Sequence, residues 1–190
     1  MFVHELGGLM QDRNHIEVSS KDHFDILYVD ETSFHLWQRP TRCWLHRGQS
    51  LLLATNRGPS LTLIGAINQD GMIVHTTIVD GSNTADTFVP FLAELKQRVP
   101  RAVVVLDNLA VHHSRRAKEI FDRKQFRSLY LPAYSSPLNP IETLWHLVKD
   151  RWRREQHKHA LENANADEEQ VRRNSYQRLA NVLGKIGIVD

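Results

Sequence analysis

Only one cysteine, Cys43, occurs in the 190 residues. It has no internal partner, so a disulfide scaffold and a four-thiolate zinc ribbon are both excluded and a reducing compartment is expected. No stretch approaches the roughly 18 consecutive apolar residues of a membrane span. The segment Met1 to Met10 also lacks the basic-then-apolar order of a secretory leader. The expectation is a soluble, cytoplasmic chain with no membrane partner. A GxxxxGK phosphate loop is absent too, which removes nucleotide hydrolysis as an energy source. His4-Glu5 meets Gly8 where a zinc-protease helix needs its second histidine, and the eleven histidines show no zinc spacing.

What remains is an ordinary globular mixture, 41% hydrophobic and 24% charged, of a length that suits one compact domain. The net charge is only +2, but the basic side is 17 Arg to 7 Lys, and the guanidinium fork suits phosphate oxygens. The charge is unevenly laid out. The 38 residues from Thr32 to Gln69 hold no acid and four arginines, Arg39, Arg42, Arg47 and Arg57. His112 to Arg127 is net +4 and Lys149 to Lys158 net +3, whereas Glu162 to Glu169 carries four acids and no base. One such block reads as a solvated helix face; three together favour a polyanionic partner.

Periodicity supplies the elements. Phe24 to Val29 reads as a buried strand ending at Asp30-Glu31. Leu61 to Ile67 and Met72 to Val79 flank an Asp-Gly turn and form a hairpin. Ser82 to Thr84 precede a helical stripe that stops at Pro100, with Pro90 leaving its start open. Ala102 to Leu106 is an apolar pentad suited to a parallel strand buried on both faces. Ser114 caps a helix to about Gln125, Ser128 to Leu131 is a short strand, and a proline and serine loop leads to a helix near Pro140. That helix has Ile141, Leu144, Trp145, Val148 and Trp152 on one stripe, where core packing is expected, and Val171 to Leu183 shows a further helical pattern. The order, antiparallel pairing first and crossovers afterwards, is that of a layered α/β domain.

Three acids stand where such a fold lets them meet: Asp30 at the first strand, Asp107 after the pentad, and Glu142 in the first turns of the helix after Pro140. Converging carboxylates repel unless a cation sits between them, and hard oxygen ligands suit Mg²⁺ or Mn²⁺. Two such ions about 4 Å apart can drive in-line phosphodiester displacement, so nucleic acid is the expected substrate. Glu142, His146, Lys149 and Arg153 fall along one helix flank, an acid followed by bases, and Arg115 and Arg116 sit in the second basic block.

These residues carry a resemblance. VDET at 29–32, LDNLAVHHS at 106–114 and LPAYSSPLNPIETLW at 131–145 resemble the three catalytic motifs of the Tc/mariner superfamily of DDE transposases, especially bacterial insertion-sequence members. The third is the most specific. The resemblance covers about Phe24 to Arg154. It implies an RNase-H-like fold, with a mixed sheet and helices on both faces. It also implies a triad of Asp30, Asp107 and Glu142 holding two Mg²⁺ or Mn²⁺ ions, strand transfer into TA targets, and a homodimer on paired transposon ends. Relatives carry a helix-turn-helix region before the first aspartate, whereas 29 residues precede Asp30 here. The expected division is an extension at 1–23, a catalytic domain at 24–156 and an acidic linker and helix at 157–190. End recognition then falls to a companion reading frame, or the chain is a truncated relic. A plain RNase-H-like nuclease and a non-catalytic DNA-binding remnant are the rival readings.

Around the triad, Glu31 points to the opposite strand face and is expected to support rather than ligate. Asn108 either orients a ligand or turns the chain, and His112 is a supporting candidate. Asn139 caps the helix that aims Glu142, with Pro140 as its first residue. Arg39, Arg42, Arg47, Arg115, Arg116, Lys149 and Arg153 are the candidate contacts to double-stranded DNA, and Trp37 and Trp44 are candidates for DNA or a partner protomer.

Overall fold

The computed structural model describes residues 24–36, 60–122, 124–132, 135, 138–158 and 167–186. Arg39, Arg42, Arg47, Trp37, Trp44 and the extension at 1–23 lie outside them.

Strands β1 (Asp25–His35), β2 (Ser60–Asn68), β3 (Ile73–Asp80), β4 (Ala102–Leu106) and β5 (Phe126–Tyr130) form one sheet in the order β3-β2-β1-β4-β5. The first three strands are antiparallel neighbours, while β4 runs parallel to both β1 and β5. Helices α1 (Ala85–Arg98), α2 (Arg115–Ile120), α3 (Ile141–Lys158) and α4 (Glu168–Lys185) cover the two faces.

The strands' side-chain alternation builds two cores. Leu27, Val29, Val104 and Leu106 point to one face, where α1 contributes Phe88, Phe91, Leu92 and Leu95 and α2 contributes Ala117. Tyr28, Phe34 and Val105 point to the other, under Ile141, Trp145, Val148 and Trp152 of α3 and Val171, Leu179 and Val182 of α4. Trp152 meets Phe34 edge-on at 5.4 Å, and each such buried aromatic contributes roughly 1.5–3 kcal/mol.

Three expectations change. The first strand does not end at Val29: its N-terminal half pairs with β4 through Tyr28↔Val105, and its remainder continues beside β2 from Asp30↔Gly65 to His35↔Ser60. Asp30 therefore sits mid-strand, level with the point where β4 has run out. The helix after Ser114 ends at Ile120 rather than near Gln125, because Phe121 is extended and Asp122 draws the backbone N–H groups of Lys124, Gln125 and Phe126 into a turn. Pro90 lies inside α1, five residues past its start. The hydrogen bond it removes belongs to the carbonyl of Asp86, an exposed residue.

Candidate active site

Adjacent parallel strands set the first two acids. The parallel β1–β4 ladder ends at Tyr28↔Val105, two residues short of both Asp30 and Asp107. Alternation turns Asp30 toward the face covered by α3, while Asp107 follows the end of β4 and its carboxylate reaches His112, which packs on Phe88 of α1. Asn139 is buried, its amide Nδ2 donates to the Val29 carbonyl and its Oδ1 accepts from the Ile141 N–H, both at 3.4 Å. That cap fastens the start of α3 beside Asp30 and puts Glu142 in the first turn over the same strand end.

Asp30 is the electrostatic anomaly. Burial pushes its carboxyl up from 3.8 to about 7, against the lowering pull of the Glu31 backbone N–H and the Trp145 indole, and the charges of Glu31 and Glu142 raise it further. Trp145 Nε1 donates to Asp30 Oδ2 at 2.9 Å.

Asp107 stands in a different environment. Its Oδ1 meets His112 Nδ1 at 2.9 Å and accepts from the Leu109 N–H at 3.2 Å. Burial works to raise this carboxyl, but the His112 hydrogen bond, the Leu109 N–H and the charges of His112 and His113 hold it below the usual range. On its other side His112 Nε2 meets Glu31 Oε1 at 2.8 Å, and Asn83 Nδ2 donates to the same oxygen at 2.6 Å. Thr87 in turn donates to Asn83 Oδ1 at 2.8 Å. His112 is wholly buried against Phe88, with ring centroids 4.6 Å apart. Burial lowers its pKa, yet the hydrogen bonds to Asp107 and Glu31 prevail and push it to about 10. It is an imidazolium between two carboxylates.

Among the described residues, the one group of three side chains with ligand atoms all within 4.8 Å of one another is Glu31, Asp107 and His112. Asp30, Asp107 and Glu142 are not drawn that tightly together. An imidazole whose two nitrogens both face carboxylates at hydrogen-bond distance has no lone pair for a metal, so this cluster reads as an ion-paired support. The hard oxygen set of Asp30, Asp107 and Glu142 fits a divalent cation better, and Asp30's buried, charge-crowded carboxylate is the group that a cation relieves.

The other candidates fall into place around this. Asn108 Nδ2 donates to the Leu131 carbonyl at 2.6 Å and its Oδ1 faces His113 Nε2 at 3.1 Å, while His113 stacks on Tyr130 at 4.2 Å. Asn108 thus ties the loop after β4 to the end of β5. On α3, His146 and Arg153 are exposed and Lys149 is half-buried. Arg115 pairs with Glu119 at 2.9 Å and Arg116 pairs with Asp86, both on the surface. Three participants were missed from sequence. Asn83 was read only as part of a capping cluster, Trp145 only as core, and Gly65 not at all, although a glycine inside an otherwise apolar β-branched run signals a close approach.

A family model described as DDE superfamily endonuclease matches residues 25–163. A Shigella sonnei protein called insertion element IS630 uncharacterized 39 kDa protein is 28% identical over 130 residues, which cover 66% of this chain and 38% of that protein. The Mos1 mariner paired end complex with Mn superposes with a TM-score of 0.50 at 16% identity, covering 83% of this chain and 53% of that one. The Mos1 strand transfer complex gives 0.51 at 19% identity, covering 83% and 52%. The chain spans about two fifths to one half of the lengths of these relatives. The likeness to the Mos1 structures is one of fold, an RNase-H-like catalytic core with a mixed sheet between helices. Among the described residues no helix is long and apolar enough to cross a membrane.

Proposed function

Because this chain belongs to the DDE superfamily endonuclease family, we propose that it is the catalytic domain of an insertion-element transposase, cutting DNA and joining the ends through divalent cations held by Asp30, Asp107 and Glu142. The observation that supports this reading is that the parallel β1–β4 ladder ends two residues short of both Asp30 and Asp107, with the Asp30 carboxyl pushed up to about 7 by burial and by the charges of Glu31 and Glu142.

Asp30, Asp107 and Glu142 would hold two Mg²⁺ or Mn²⁺ ions, which would supply Lewis-acid activation of the attacking oxygen and charge stabilisation of the leaving oxygen. The chain's own residues supply the rest. Glu31 and Asn83 hold His112, and His112 fixes Asp107. Asn139 anchors α3 and so sets where Glu142 stands. Asn108 holds the loop after β4. His146, Lys149 and Arg153 run down α3 from Glu142 and lead a phosphate backbone toward the acids. Arg115 and Arg116 exchange exposed carboxylate partners, pairs of little stability value, for phosphate at slight cost. Residues 24–156 carry this chemistry, and the resemblance adds insertion at TA dinucleotides and a homodimer on paired ends.

Asp107→Asn and Glu142→Gln are each expected to abolish Mn²⁺-dependent cleavage of DNA carrying the element's ends while leaving the circular dichroism spectrum unchanged. Cleavage at the parental rate by either purified variant overturns the assignment. Joining of pre-cut ends to target DNA separates a transposase from a nuclease that only cuts.

A further inference from the structure

Two tryptophans lie two turns apart on α3, both buried in the same core, and their indole nitrogens differ. Trp152 Nε1 is buried with no hydrogen-bond partner among the described residues, so this core does not satisfy an indole N–H as a matter of course. Trp145 Nε1 reaches Asp30 Oδ2 at 2.9 Å. It does so by lying over β2 at the one residue of that strand with no side chain. Gly65 is Asp30's partner across the β1–β2 ladder, and a Cβ built on it would stand 2.6 Å from Trp145 Cη2 and 3.3 Å from Cζ2. Any side chain there would lift the indole off the sheet.

Filling the core does not require this arrangement. A phenylalanine at 145 occupies much of the same space, and an alanine or valine at 65 suits a buried strand better than glycine, which weakens strand interiors. A hydrogen bond to a charged acceptor is, however, among the stronger kinds. It occupies one carboxylate oxygen and fixes the rotation of the group, as partners behind metal-ligating side chains do.

We propose that Trp145 is a positioning residue for metal binding: its indole N–H fixes Asp30 Oδ2 and leaves Oδ1 for the cation, and Gly65 is the opening in β2 that admits the indole. This rests on the metal-site reading above and goes beyond it, since it gives a core tryptophan and a strand glycine a role in cation affinity.

The test is Mn²⁺ binding to the full chain, measured by electron paramagnetic resonance of free Mn²⁺ with no DNA present. Trp145→Phe is expected to weaken Mn²⁺ binding about tenfold or more, the usual effect of removing a partner behind a ligand. Trp152→Phe, which removes a comparable volume from the same core but no hydrogen bond, should leave binding within about twofold of the parent. Gly65→Ala keeps the indole and displaces it, so it should resemble Trp145→Phe, and it carries the test if Trp145→Phe does not fold. In cleavage assays the Mn²⁺ concentration for half-maximal rate should rise in Trp145→Phe more than the saturated rate falls. If Trp145→Phe and Trp152→Phe bind Mn²⁺ alike, the positioning role is overturned while the metal site stands. If the parent itself binds no Mn²⁺, the metal-site reading falls and this inference with it.

Discussion

Replacing Asp30 with asparagine removes the charge and keeps an oxygen to accept the Trp145 hydrogen bond. Burial raises the Asp30 carboxyl from 3.8 to about 7, so between those values the folded protein keeps a proton that the unfolded chain has released. The stability this group contributes is therefore fully present below about pH 4 and lost as the pH rises through about 7. At about 1.4 kcal/mol per pH unit, the displacement sets a ceiling of about 4 kcal/mol, and relaxation around the charge reduces the expected effect to about 2 kcal/mol. Asparagine has no proton to lose. In chelator, Asp30→Asn should match the parent near pH 4 and exceed its stability by about 2 kcal/mol near pH 8, about 4–8 °C in Tm for a chain of this size. In Mn²⁺ near pH 8 the order should reverse, because only the parent gains the stabilisation that ligand binding gives a folded state. Thermal melts across this pH range, with chelator and with Mn²⁺, measure both. The titrations of Asp107 and His112 are common to the two proteins and cancel in the difference. A stability difference independent of pH, or a variant weaker than the parent near pH 8 in chelator, would refute the claim that Asp30 is a desolvated carboxylate awaiting a cation.

His112→Ala strands the Glu31 carboxylate, whose side chain is only 7% exposed, and should cost about 3–5 kcal/mol in urea unfolding at neutral pH. Because His112 is held at about 10, that cost is complete below 6.5 and should shrink as the pH rises through about 10. Adding Glu31→Gln to His112→Ala should cost less than the sum of the two single changes, since both remove the same ion pair. Lys149→Gln and Arg153→Gln should each reduce by about one the slope of log affinity against log salt for duplex DNA, leaving the Mn²⁺ requirement of cleavage unchanged. Slopes equal to the parent's would remove the α3 flank from the DNA path.

The sheet and both cores were legible because their signals are local or periodic. The Asp-Gly hairpin, the apolar pentad and the α3 stripe announce themselves within a few residues. Ile141, Trp145, Val148 and Trp152 are all buried, as their spacing requires. The misread lengths came from elements whose limits are set by distant partners. β1 runs on past Asp30 because β2, at Ser60–Asn68, pairs with it through His35. α2 stops early because one aspartate, Asp122, collects three backbone N–H groups into a turn that competes with the helix. The long third motif is what puts the three acids forward as a set. What no pattern in the chain disclosed was how each acid is held, since Glu31 and His112 are 81 positions apart and Trp145 and Asp30 are 115 apart.

The consecutive pair Asp30-Glu31 lets one short stretch of β1 serve the proposed site from both faces of the sheet. In a strand, neighbouring residues point to opposite faces. Asp30 turns toward α3, where Trp145 and the charge of Glu142 meet it, and Glu31 turns toward α1, where Asn83 and His112 meet it. Through His112 the second of these reaches Asp107, which directly follows the neighbouring strand β4. β1 thus supplies one carboxylate directly and steadies another from the reverse face of the sheet. The two are tuned in opposite senses, Asp30 upward by burial and Asp107 downward by an imidazolium. Losing His112 is therefore not neutral: burial of the Asp107 carboxyl is then opposed only by the Leu109 N–H and the charge of His113, so this carboxyl moves up and a second proton competes with the cation as the pH falls. The Mn²⁺ affinity of His112→Ala should accordingly rise more steeply with pH than the parent's, a difference that a binding titration at several pH values reads directly.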